Sequence, residues 1–73
     1  MVIAGKSLCF TGSMKWGRRE VERFARERGG KVSHKVTGKT DYLVMGATSD
    51  SAKLADALSM GVEVVSADEF FAA

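Results

Sequence analysis

The residues of this 73-residue chain whose types and spacing could do chemistry are Thr11, Gly12, Arg19 and Lys53. The chemistry they suit is the grip of an anion. A threonine hydroxyl donates one hydrogen bond, and a glycine N–H meets an oxyanion with no side chain in the way. Arginine offers a planar fork to two phosphate oxygens, and lysine adds a point charge. The stretch FTGSMKWGRRE, residues 10–20, leaves an apolar run through Thr-Gly-Ser and ends in two arginines. Such a pair after a strand is either a plain turn that starts a helix or a cradle for a phosphate.

Bond-making chemistry is not expected. Nothing assembles a nucleophile, a base and an orienting group. His34 has no second histidine or cysteine pair nearby, so no metal site is expected. TGKT at 37–40 has the tail of a P-loop, but Ser33 stands where its leading glycine belongs. An apolar run from Tyr42 to Met45 follows in place of a helix, so no nucleotide cofactor is expected either. Trp16 either stacks on a base or packs over a helix start. Ser51 reads as a helix cap, and Met14, Met45 and Met60 as apolar filler.

The charge is unevenly spread. Residues 1–40 hold ten Lys/Arg against three Glu, a balance of +7, whereas residues 41–73 hold one lysine against six acids, a balance of −5. A basic half points to an anionic partner, with a solvated helix face as the plain alternative. Lys15, Arg18 and Arg23, with Arg26 or Lys31, are the candidates to follow neighbouring backbone phosphates of DNA.

Parallel strands place ligands beyond their carboxyl ends, where helix N-termini converge. The required elements are legible. Lys6–Thr11 reads as a buried strand and Gly17–Arg28 as an amphipathic helix with Val21, Phe24, Ala25 and the Arg28 stem on one face. Glu22 and Arg26 are spaced as an i,i+4 pair, as are Arg23 and Glu27. Gly29-Gly30 closes this helix. Lys31–His34 reads as a second strand, Val36–Thr40 as a polar connection, and Tyr42–Met45 as a third strand. The small polar run 47–51 is expected to cap a second helix, whose apolar stripe is Leu54, Ala55, Ala57 and Leu58 through Met60. Gly61, a strand Val62–Val65, a Ser66 cap and a last helix Ala67–Ala72 with Phe70 and Phe71 complete the order β-α-β-β-α-β-α. That order predicts one α/β domain with a mostly parallel sheet and helices on both faces.

Composition sets the outer limits. Apolar residues make up 45% of the chain and charged ones 27%, which suits a globular domain. Cys9, the single cysteine, sits in an apolar run, so a buried thiol in a reducing intracellular compartment is expected. No apolar stretch approaches the roughly 20 residues of a membrane span, and no signal peptide is recognisable, so no membrane partner is expected. So small a module is expected to be one piece of a longer chain.

The pieces in register resemble a BRCT domain over Gly5 to Phe71. They are Gly5-Lys6 with its strand, Phe10-Thr11-Gly12, Arg19-Glu20, Gly29-Gly30-Lys31-Val32, Lys39-Thr40-Asp41-Tyr42-Leu43-Val44 with Gly46, Ser51-Ala52-Lys53-Leu54, and Gly61-Val62. Within that family the chain looks most like the single modules of NAD-dependent DNA ligases and of the replication factor C large subunit. Phe70 stands where many members carry tryptophan, a substitution frequent in the ligase-like branch. The resemblance implies a four-stranded parallel sheet in order 2-1-3-4, with the first and third helices on one face and the second on the other. It implies a non-catalytic module, with the phosphate held by the hydroxyl–glycine pair at Thr11-Gly12, the helix-two lysine at Lys53 and the arginine at Arg19. DNA bearing a 5′-phosphate is the expected partner; a phosphopeptide or a neighbouring protein domain is the alternative. The expected location is the cytoplasm or nucleoid of a bacterium, or a nucleus.

Overall fold

Seven elements follow one another along the chain: β1 (Ser7–Thr11), α1 (Arg18–Glu27), β2 (Lys31–Ser33), β3 (Tyr42–Met45), α2 (Ser51–Ser59), β4 (Glu63–Ser66) and α3 (Ala67–Phe71). They are taken from a computed structural model that describes residues 1–13, 15–47 and 51–72. The strands form one sheet in the order β2-β1-β3-β4, and every neighbouring pair is parallel. This is the architecture the element order and the resemblance implied.

Strand side chains alternate between faces, and that alternation divides the core in two. Leu8, Phe10, Val44 and Val65 face one way, where they meet Val21 and Ala25 of α1 and Phe70 of α3. Cys9 and Leu43 face the other way, against Ala57 and Val62. Phe70 is fully buried and stands edge-to-face with Phe10 at 5.3 Å, Phe24 at 5.1 Å and Phe71 at 5.1 Å.

α1 behaves as its periodicity predicts. Val21 and Ala25 are buried, and the Arg28 guanidinium lies 3.5 Å from the centre of the Phe24 ring. Glu22 carries the Arg26 pair at 3.7 Å and also lies 3.5 Å from His34, which is exposed just past β2. α2 differs from the sequence reading. Of its expected stripe only Ala57 is fully buried; Leu54 is half-buried, Ala55 is exposed, and Leu58 is 66% exposed, as is Met60 at 48%. Of the run 47–51, residues 48–50 lie outside the described part, as does Met14.

Two sequence motifs resolve into structural stitches. A Cβ at Gly30 would come within 2.8 Å of Ile3 Cγ2 and 3.0 Å of the Ala25 carbonyl oxygen, so the second glycine of the pair lets backbone and core close up. Asp41 Oδ2 accepts the Ser7 N–H at 2.8 Å while its own N–H donates to the Ser7 carbonyl at 2.9 Å. The Thr40 hydroxyl accepts from Thr37 N at 3.0 Å. Asp41 therefore anchors the start of β1, and Thr40 closes the turn before it. Among the described residues, no helix is long and apolar enough to cross a membrane.

Candidate phosphate-binding site

The end of β1 fixes the directions of its hydrogen-bonding groups. A trans peptide points its C=O and N–H to opposite sides. The Thr11 carbonyl accepts the Gly46 N–H at 2.8 Å, toward β3, so the Gly12 N–H in the same peptide unit points toward β2. By the same alternation the Phe10 carbonyl also points toward β2. The last β2 residue, Ser33, pairs with Cys9, so β2 stops short of that row. In place of a strand donor, Arg18 Nη1 donates to the Phe10 carbonyl at 3.1 Å. The Arg18 guanidinium thus sits on the edge to which the Gly12 N–H is directed. With five N–H groups, it has donors beyond this bond. Gly12 has φ +85°, a conformation that glycine adopts without strain, and it turns the chain out of the strand at this point.

Thr11 has the parity of Cys9, so its side chain projects to the α2 face, where it is 3% exposed. Lys53 is half-buried in the first turn of α2 on that same face. The Cys9 thiol registers both cations. Burial raises its pKa above the ordinary thiol value, while the charges of Lys53 and Arg18 pull it the other way. A guanidinium of α1 and an ammonium of α2 thus both lie within electrostatic reach of Cys9, in the middle of β1. The first N–H groups of α1 add to the positive field, since Gly17 at the N-cap has no side chain to satisfy them.

Arg19 lies elsewhere. With Glu22, Arg23, Arg26 and Glu27 it lines a groove along the outer face of α1. Lys15 is exposed on the other side of the β1–α1 loop, beside Trp16. Ser51 opens α2, and its side chain lies outside the described part. Sequence reading ranked Arg18 with the backbone-following cations. Only the register of β1 against β2, which leaves the Phe10 carbonyl to a side chain, singles it out. Among the described residues, no group of three or more His, Cys, Asp or Glu could hold a metal ion.

Residues 2–73 match the model of the BRCA1 C Terminus (BRCT) domain. A DNA ligase of Desulfatibacillum aliphaticivorans is 45% identical over 69 residues, 93% of this chain and 11% of that protein. A DNA ligase of Rhodopseudomonas palustris (strain HaA2) is 45% identical over 71 residues, 96% of this chain and 10% of the relative. The chain thus spans about a tenth of the length of these relatives. Among solved structures, Rad4 BRCT1,2 in complex with a Crb2 phosphopeptide superposes with a TM-score of 0.82 at 21% identity, covering 96% of this chain and 38% of that one. S. pombe Rad4 BRCT3,4 gives a TM-score of 0.79 at 17% identity, over 90% of this chain and 38% of that one. At those identities the likeness is one of fold.

Proposed function

We propose that this chain, which belongs to the BRCT family, is a phosphate-recognising module of a DNA replication or repair protein and binds 5′-phosphorylated DNA ends or nicks. A BRCT domain is a non-catalytic module, and in DNA ligases it accompanies the catalytic parts as an accessory domain. The parent would be a longer intracellular protein of the ligase kind. Thr11, Gly12 and Lys53 hold the terminal phosphate, and Arg18 grips it from the β2 edge. Arg19 shares the first turn of α1 and joins by turning its side chain out of the outer groove.

The observation that carries this reading is the shared direction of the Gly12 N–H and the Arg18 guanidinium at the end of β1, with Lys53 half-buried in the first turn of the helix on the face to which Thr11 projects. Arg23 and Lys15, on either side, follow the next backbone phosphates. The +7 balance of the first 40 residues exceeds what one phosphate requires, and this favours DNA over a singly phosphorylated peptide. Titration of matched duplexes with and without a 5′-phosphate tests the reading. The phosphorylated duplex binds more tightly, and each backbone phosphate contacted steepens the log–log salt slope by about 0.9. Equal affinities would remove the terminal-phosphate reading. The structural likeness to a BRCT pair bound to a phosphopeptide supports the second reading, peptide recognition, which a phosphoserine peptide that outcompetes the duplex would favour.

A further inference from the structure

A cavity of about 520 Å³ opens on the same rim of the sheet, and it is distinct from the phosphate cradle. Ser13, Lys15 and Trp16 of the β1–α1 loop, Met45 and Ala47 at the end of β3, and Asp68 of α3 are among its walls. Two hydrogen bonds zip its floor, Gly46 N to the Thr11 carbonyl at 2.8 Å and Ala47 N to the Ser13 carbonyl at 2.7 Å. Gly12 lies between those two carbonyl-bearing residues, with its N–H directed away toward β2. The β1–α1 loop is thus a common wall, with the phosphate cradle on one side and the cavity on the other. Consecutive Cα atoms are about 3.8 Å apart, so Gly12 and Ser13 put the two sites within the reach of one nucleotide.

Trp16 decides what the cavity suits. Its ring lies 4.2 Å from that of Phe71, centre to centre and tilted by 46°, and Phe71 in turn packs 4.9 Å from Phe24. The indole is therefore anchored to the core through Phe71, yet it remains 41% exposed. An immobilised, half-open aromatic wall loses little entropy when a flat ring is laid on it. The volume falls in the range of small-ligand sites. Lys15 at the wall matches a phosphate-bearing ligand, and Asp68 can accept from a base amino group.

We propose that this cavity receives the base of the 5′-terminal nucleotide, stacked on Trp16, while its phosphate occupies the neighbouring cradle. The inference rests on the phosphate reading above. It requires the terminal base to leave its pair, which costs least where the nucleotide is already unpaired. Aromatic platforms hold single-stranded bases in this way with little sequence preference. Stacking on Trp16 accordingly responds to the presence of a base, with Asp68 adding a preference for bases that carry an amino group.

The test uses the 73-residue chain and duplexes carrying a phosphorylated one-nucleotide 5′ overhang, either intact or lacking the terminal base. The intact overhang binds about fivefold or more tighter and quenches the single tryptophan, whereas the abasic overhang does neither. Trp16→Leu abolishes the difference between the two. Ala47→Leu, which fills the cavity mouth and spares the Trp16–Phe71 contact, abolishes it as well and guards against a folding defect in the first variant. Equal binding of the intact and abasic overhangs, or a difference that survives Ala47→Leu, overturns the proposal. So does quenching by a phosphoserine peptide with an apolar neighbour but not by the overhang, which would assign the cavity to a peptide side chain. If removal of the 5′-phosphate changes nothing in the parent chain, the phosphate reading itself has failed. If the phosphate matters and the base does not, only the cavity proposal has.

Discussion

The two faces of the sheet are built to different standards. On the α1/α3 face, five aromatic rings pack in a connected chain from Phe10 through Phe70, Phe24 and Phe71 to Trp16. On the α2 face the sealed cluster is Cys9, Leu43, Ala57 and Val62, and the helix above it leaves Ala55 and Leu58 outside. Large rings bury much area and fix geometry, whereas small residues seal a helix at low cost to its freedom. Stability is thus concentrated on the face that carries Arg18. The face that carries Lys53 is sealed by smaller side chains.

The largest effect should come from the heavy face. Phe70→Ala removes a fully buried ring with three aromatic neighbours and should cost about 3–5 kcal/mol, read as a lower denaturant midpoint. A smaller loss would mean that the aromatic chain is not what holds α3 to the sheet. Next comes the light face in its binding role. Lys53→Ala should weaken the 5′-phosphorylated duplex by about 1–3 kcal/mol while leaving the urea midpoint unchanged. A shifted midpoint with unaltered binding would reverse the roles assigned to the two faces.

Cys9 gives a subtler contrast. Its folded pKa is raised by burial, so the unfolded chain loses the thiol proton first. The stability it contributes is complete below the ordinary thiol pKa and declines as pH rises above about 9. Cys9→Ala should flatten that part of the stability–pH profile relative to the parent chain. Smallest of all, Leu58→Gln should change stability by no more than about 0.5 kcal/mol, because the side chain is 66% exposed. A large loss would show that α2 is seated along the stripe its sequence suggested.

That stripe marks where sequence stops being informative. The strand Tyr42–Met45 was legible as a short apolar run closed by Gly46, and α1 because its charged and apolar residues alternate at helical period. Alanine carries no such sign, so Ala55 and Ala57 read alike although one faces water and the other the core. Thr11 and Gly12 were legible as the end of β1 and the turn out of it. The position of Arg18 was not, because it depends on where β2 ends relative to β1. The cavity beside Trp16 was hidden as well, since its walls come from segments as far apart in sequence as Ser13 and Asp68.

The thiol sealed beneath α2 makes the chain its own clock. Cys9 is fully buried against Ala57 of α2, so an alkylating reagent should label it at a rate set by local opening of the fold around that helix. A ligand that bridges Lys53 to the rim of β1 would hold the helix down and slow the count, while one confined to the outer groove of α1 would leave it running.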